Sequence, residues 1–331
     1  MAYNNPLLPA AAMERGSCVA FGMFDGVHAG HLAVLDALNS ISMENALTPV
    51  LLRYAVTLNG VNERNHRLTT EDETDKLVWQ IAPKCHIIPL PLDEAESLNA
   101  ERYIKELLVD KFNAKIIVAG ANCRYGKNGD GNAETLRACA DKYGFRLVVV
   151  DTIYAKEIIN GDIKTDIAND INNDPVFPEE AVSGNIIRNA LLNKDIASAN
   201  KLLTRPFFLR GVVASGKSLG RQVSMPTANL RTPPQKFIPA HGVYATVVKF
   251  HGEEHIAITN IGTRPSVDSS DEVSIETHIL DFSGDLYGMT IEVELHKHIR
   301  DIRKFNDINE VKAQVDIDIA VVREYFRAAR R

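Results

Sequence analysis

Two histidines three residues apart, His28 and His31, stand in the run Phe24-Asp25-Gly26-Val27-His28-Ala29-Gly30-His31. An apolar segment, Ser17 to Gly22, precedes them and reads as a buried strand. Leu32, Leu35 and Leu38 follow on one helical face. The histidines therefore fall at a helix N-terminus, where unpaired N–H groups and the positive end of the helix dipole favour a phosphate. Flanking glycines let that phosphate approach the backbone, and two imidazoles stabilise charge on a transferring phosphoryl group. A bare H-x-x-H also fits two structural histidines at a helix start. The longer string is what makes the chemistry specific.

A second polar loop, Gly120-Ala121-Asn122-Cys123-Arg124-Tyr125-Gly126-Lys127, follows the apolar Ile116-Ile117-Val118. A loop at the end of such a strand faces the same crevice as the histidines if the strands run parallel; by itself it is equally a glycine-bounded turn. Farther along, Gly211 to Arg221 is glycine-rich like a phosphate loop, but no long helix follows, so a Walker-type NTPase is not expected.

The elements that must position these residues change character halfway. After the first strand and helix, Thr48 to Tyr54, Cys85 to Leu90, Lys115 to Ala119 and Phe145 to Val150 read as strands. Helical patterns fall between them, one opened by the capping-box spacing Thr70 to Glu73 and others over Asn99 to Phe112 and Ala133 to Tyr143. This alternation predicts a Rossmann-like α/β domain with a parallel sheet and ligands at the carboxyl ends of its strands. Asp151 to Glu180 loses the pattern and reads as a solvated loop. Its Asp166, Asp170 and Asp174 lack EF-hand spacing. Two short helices around Ile186–Leu192 and Ala197–Leu203 then bridge to the second half.

From Phe207 the segments become short and β-rich: Gly211–Val213, Val243–Phe250, His255–Asn260, Val273–Leu280 and Thr290–His296, with turns at Gly252–Glu254 and Ser283–Asp285. They predict a small antiparallel β-barrel. A last helix carrying Ile308, Val311, Val315, Ile319, Val322 and Phe326 covers it. The expected domains are 1–186 and 187–331.

Composition bounds the function classes. The 331 residues suit two conventional cores. A net charge of −6 argues against a general nucleic-acid binder, whose affinity comes from a basic face. The four cysteines, Cys18, Cys85, Cys123 and Cys139, form no C-x-x-C pair and read as reduced thiols. No apolar run approaches a membrane span, and the N-terminal stretch lacks a signal peptide's basic start. A cytoplasmic protein of small-molecule substrates, with no nucleic-acid or membrane partner and its oligomeric state open, is expected.

The string Gly22 to His31 resembles the G-x-F-D-G-x-H-x-G-H signature of nucleotidyltransferases. Pro226-Thr227-Ala228-Asn229, Gly242-Val243-Tyr244-Ala245, Asn260 to Pro265, Glu276 to Phe282, Asp285 to Gly288 and Arg300 to Phe305 resemble the successive motifs of riboflavin kinase. In this order they resemble the bacterial bifunctional riboflavin kinase and FMN adenylyltransferase (FAD synthetase) family over nearly the whole chain. The resemblance implies phosphorylation of riboflavin by ATP, then adenylylation of FMN to FAD with release of pyrophosphate. It implies Glu276 as the kinase base, Thr227 and Asn229 as Mg²⁺ ligands, and Arg300 and Phe305 at the flavin. Without its neighbours, Glu276 between Ile275 and Thr277 reads as a solvent-facing strand residue.

For nucleotide the resemblance implies Gly22, Phe24, Asp25, Gly30, Asn122, Arg124, Ser183, Asn185, Arg188, Gly211, Gly216, Gly220 and Arg221, with His28 and His31 catalytic. There are departures. Cys123 stands where the family has Phe, and Ser183-Gly184-Asn185 stands for S-S-T ahead of Arg188. The F-x-P-H-P stretch is replaced by Arg53 to Thr57, and Ser224 stands for a glycine. Losing one charge-stabilising donor costs on the order of 100-fold in other enzymes. A kinase with a weakened or silent first domain is therefore the nearest alternative. A non-catalytic flavin or nucleotide sensor, and a nucleotidyltransferase for another acceptor, are further ones.

Overall fold

The computed structural model describes residues 14–55, 66–159, 180–214, 227–264, 272–305 and 307–329. The chain divides into two compact units, Met1–Ala155 with Glu179–Gly184, and Lys156–Pro178 with Asn185–Arg331.

The first unit is a five-stranded parallel sheet in the order β3-β2-β1-β4-β5. Its strands are β1 (Ser17–Gly22), β2 (Thr48–Ala55), β3 (His86–Pro91), β4 (Ala114–Gly120) and β5 (Arg146–Val150). The helices are α1 (Ala29–Glu44), α2 (Glu71–Ile81), α3 (Leu92–Ser97), α4 (Ala100–Arg102) and α5 (Ala133–Tyr143). Apolar residues pack both faces of the sheet: Val19, Leu52 and Ile117 on one, Ala20, Leu51 and Val118 on the other. Burial on both faces is why these strands read as continuous apolar runs. Because β2 and β4 flank β1 on opposite sides, the strand order reverses at β1, which is where such sheets bind ligands.

Thr70 caps α2 as its spacing predicts. Its hydroxyl accepts from Glu73 N–H, and Glu73 Oε2 accepts from Thr70 N–H at 2.9 Å. The helix expected over Asn99 to Phe112 differs, continuing past α4 as a π-helical stretch, Tyr103–Lys111. The wider turn brings Tyr103, Ile104, Leu107 and Leu108 onto the sheet together, with the Tyr103 hydroxyl 2.9 Å from that of Tyr54.

A short helix α6 (Ala155–Ile159) is followed, beyond the undescribed residues, by α7 (Gly184–Leu192) and α8 (Ile196–Leu203). The second unit closes six antiparallel strands into a barrel in the order β10-β7-β6-β11-β8-β9. They are β6 (Phe207–Ala214), β7 (Ala228–Arg231), β8 (Gly242–Phe250), β9 (Glu253–Arg264), β10 (Glu272–Ile279) and β11 (Thr290–Arg300). Asn200 ties α8 to the barrel, donating to Leu295 O and accepting from Phe207 N–H, each at 2.8 Å. The turn expected over Gly252–Glu254 is tighter: Phe250 already pairs with Glu253, across His251 at φ 50° and Gly252 at φ 81°. Positive φ at both positions is the type I′ geometry that suits twisted strands.

The last helix, α9 (Ile308–Ala329), covers the barrel with Val322 and Phe326 against Val243, Ala245 and Ile258. Periodicity did not foretell that Gln314 and Asp318 are also buried on this face.

Candidate active sites

In the first unit β1 delivers the chain into a loop of uncommon backbone, with Phe24 at φ 49° and Val27 at φ 40°. His28 follows as the N-cap of α1, in extended conformation and without a side-chain capping bond. Its ring stacks on that of His31, in the first turn of the same helix, at 3.7 Å between centroids. Phe24 backs His31 at 4.7 Å. Phe24, Asp25 and His28 are buried, while His31 is half-buried. Gly30 lies against the His28 ring, where an added Cβ would come to 3.4 Å, an ordinary contact. Gly22 ends β1, in register with Arg53 of β2.

The second expected loop begins where β4 ends, at Gly120, on the far side of the same switch point. Asn122 and Arg124 are exposed there, and Arg124 Nη1 donates to Cys123 O at 3.3 Å. Burial pushes the Cys123 thiol up to about 11, so it stays protonated and serves as packing in place of the family's Phe. Ser183 falls at the end of the first unit, whereas Asn185 and Arg188 lie on α7 of the second, 3.3 Å apart from Nη1 to Oδ1.

Sequence reasoning missed Arg53 and Thr69. The Arg53 side chain is 3% exposed and is held by Asp75 at 2.8 Å and Glu71 at 3.2 Å. Burial raises the Asp75 carboxyl against the pull of Arg53. Thr69, just ahead of the α2 cap, bonds to the histidine loop: Gly26 N–H donates to its Oγ1 at 2.8 Å, and its own N–H donates to Asp25 Oδ1 at 3.2 Å. These partners lie more than 40 residues apart, a distance at which no local pattern signals them.

In the barrel, strand register assembles the polar centre. Glu276 of β10 is paired with Asn229 of β7 on one side and Asn260 of β9 on the other. Directly paired residues of antiparallel strands share a face, so the three side chains emerge together. Asn260 belongs to a motif seen in the sequence, but only the register sets it beside Glu276. Ser274 Oγ donates to Glu276 Oε1 at 3.0 Å. The opposite face is closed by the threonine hydroxyls of Thr246, Thr259 and Thr277, linked in a chain at 2.9 Å per step. Thr227 and Asn229 are half-buried, and both present neutral oxygens.

One expectation is corrected. Gly211 lies within β6, not in a phosphate-covering loop; a Cβ there would sit 2.2 Å from Arg231 O. Its smallness serves the close approach of β7. Arg300, expected at the flavin, holds Asp318 of α9 through its guanidinium at 2.8–3.1 Å, and Gln314 donates to the same carboxylate at 2.7 Å. Phe305 lies 5.9 Å from Arg300 and 4.7 Å from Arg303. Gly216, Gly220, Arg221 and Ser224 lie outside the described residues.

A parallel sheet bearing an H-x-G-H loop at its switch point, followed by a six-stranded barrel, defines a nucleotidyltransferase-type domain fused to a flavokinase-type domain. The FAD synthetase family model matches residues 10–160, and the riboflavin kinase model matches 203–326. The chain is 34% identical over 323 residues to the bifunctional riboflavin kinase/FMN adenylyltransferase of Buchnera aphidicola subsp. Schizaphis graminum, covering 95% of each. With the protein of the same name from Escherichia coli K12 it shares 31% over 320 residues, covering 95% of this chain and 94% of the relative. The chain belongs to the bifunctional riboflavin kinase/FMN adenylyltransferase family. A solved structure described as a macrolide-efflux protein from Streptococcus pneumoniae has the same fold, with a TM-score of 0.76, 25% identity and coverage of 93% and 94%. Among the described residues here, no helix is long and apolar enough to cross a membrane.

Proposed function

We propose that the protein phosphorylates riboflavin to FMN with ATP and then adenylylates FMN to FAD, releasing pyrophosphate. We assign the adenylyl transfer to residues 1–186 and the phosphoryl transfer to 187–331, in the cytoplasm. The observation that carries the reading is that each of two distinct architectures holds its own polar centre, in the order that the two family models match.

In the first centre a phosphate oxygen of FMN attacks the α-phosphorus of ATP, and the bond to the β-phosphate oxygen breaks to release pyrophosphate. His28 and His31 stand at the α1 N-terminus, where they and the helix N–H groups meet the charge that grows on the α-phosphate. Gly22, Phe24, Asp25 and Gly30 shape this loop, and Asn122 and Arg124 reach from the neighbouring strand end. Ser183, at the end of the same unit, is assigned to the nucleotide phosphates.

In the second centre Glu276 takes the proton of the riboflavin 5′-hydroxyl as its oxygen bonds the γ-phosphorus and ADP leaves. Asn229 and Asn260 flank the carboxylate in register. The donor set there fits Mg²⁺: a hydroxyl at Thr227 and an amide oxygen at Asn229 are hard, neutral ligands for an ion that binds mainly through substrate phosphates. Bound there, Mg²⁺ would neutralise phosphate charge. Arg300 and Phe305 are assigned to the flavin, with Arg303 beside the Phe305 ring.

Chromatography of products from riboflavin, ATP and Mg²⁺, with a parallel reaction started from FMN, tests the proposal. FAD in both is expected. FMN without FAD would leave a kinase with a silent first domain, and no flavin nucleotide at all would refute the enzyme reading.

A further inference from the structure

We propose that Thr69 is a positioning residue for the adenylyl-transfer centre, clamping the strained Phe24–Val27 loop to the start of α2 and thereby setting the His28–His31 pair. The inference rests on the first unit's proposed role as an adenylyltransferase.

The loop needs a clamp. Phe24 and Val27 both have positive φ, and for a β-branched valine that is a conformational outlier. Such backbone persists only where its surroundings over-determine it. Apolar burial does part of this, since Phe24 is 2% and Val27 0% exposed. The loop closes on itself through Val27 N–H to Phe24 O at 3.2 Å, and Thr69 adds bonds from outside it. Its Oγ1 accepts from Gly26 N–H at 2.8 Å, its N–H donates to Asp25 Oδ1 at 3.2 Å, and its Oγ1 lies 2.8 Å from Thr74 Oγ1. The two residues it grips are the middle of the loop, immediately before Val27 and His28. Thr69 is 1% and Thr74 0% exposed, so water has no access to replace these bonds.

The other end of the clamp is rigid. Thr70 closes a capping box with Glu73, and Thr74 sits on the first turn of α2. The same turn holds Arg53 through Glu71 and Asp75, and Arg53 is the register partner of Gly22, where the loop begins. One helix start thus fixes the loop at its entry and at its centre.

Thr69→Val keeps the shape of the side chain and removes Oγ1, whereas Thr69→Ser keeps the hydroxyl. In the full-length protein, Thr69→Val is expected to lower kcat for FMN to FAD by about 10- to 100-fold, the scale of an ångström-level misplacement of catalytic groups. KM for ATP and FMN should stay within about twofold, and Thr69→Ser should restore most of the rate. Riboflavin phosphorylation by the same molecules is the control for folding and should not change. Thr74→Val, which removes only the hydroxyl's partner, should shift kcat in the same direction but less. An unchanged kcat in Thr69→Val, a loss confined to KM, or an equal loss in the Ser and Val variants would overturn the proposal. If the unmodified protein makes no FAD, the adenylyltransferase reading fails instead. The clamp is then tested by the imidazole NMR signals of His28 and His31, which should move in Thr69→Val and not in Thr69→Ser. Unmoved signals in Thr69→Val refute it.

Discussion

Glu276 and Asn229 face each other across the β10–β7 ladder, so the proposed kinase base and a proposed metal ligand are fixed by one hydrogen-bonded register. The carboxylate has Asn260 on its other side and the Ser274 hydroxyl on one oxygen. Glu276→Gln preserves size and hydrogen bonding but cannot take a proton. It should abolish FMN formation, by about 100-fold or more on the scale of lost general bases, and leave FMN-to-FAD conversion intact. Separate assays from riboflavin and from FMN check this, and undiminished FMN formation removes Glu276 from the base role.

His31 is stacked between His28 and Phe24, so its loss both removes a charge-stabilising group and leaves the His28 ring without its neighbour. His31→Ala is expected to show the reverse phenotype, with FAD formation down by about 100-fold and riboflavin phosphorylation retained. Full FAD output from this variant would exclude the first-domain site.

Much of this was legible in the sequence where the signal is local. The buried strands, the Thr70 capping box and the histidines at a helix start follow from apolar runs and short-range spacing. What was not legible depends on pairs far apart in the chain. Asn260 and Asn229 meet Glu276 only through barrel register, and Thr69 meets Gly26 only through the packing of α2 on the first loop. Arg300 illustrates the converse. The sequence places it only in a flavin-site motif, whereas its partner, Asp318, lies on the helix face that periodicity assigns to apolar residues.

The Arg300–Asp318 pair yields a stability prediction. The Asp318 side chain is 3% exposed and that of Arg300 21%, so removing the arginine leaves a buried carboxylate without its cation, held only by the Gln314 amide among the bonds described. Arg300→Ala should destabilise the barrel unit by about 3 kcal/mol or more, as for other broken buried pairs. The double variant Arg300→Leu with Asp318→Leu should recover much of that, because no charge is left buried. Denaturant unfolding of the three proteins measures the difference. Equal stability of Arg300→Ala and the unmodified protein would show that the pair contributes nothing to holding α9 on the barrel.

Gly211 offers a sharp choice between a packing role and a phosphate-loop role. It sits in β6 in register with Ile291 of β11, and a methyl group there would press on the Arg231 carbonyl at 2.2 Å and its carbon at 2.7 Å. Those atoms are backbone of β7, so they move only if the strand moves. β7 also carries Asn229, which is paired with Ala214 of β6 and with Glu276 of β10. Gly211→Ala should therefore lower the stability of the barrel by about 1–3 kcal/mol, the usual cost of overpacking. It should also reduce the kinase kcat through the displaced Asn229. FAD formation from FMN should be spared. A stable variant in which only KM for ATP rises in the kinase reaction would instead mean that Gly211 acts on nucleotide directly.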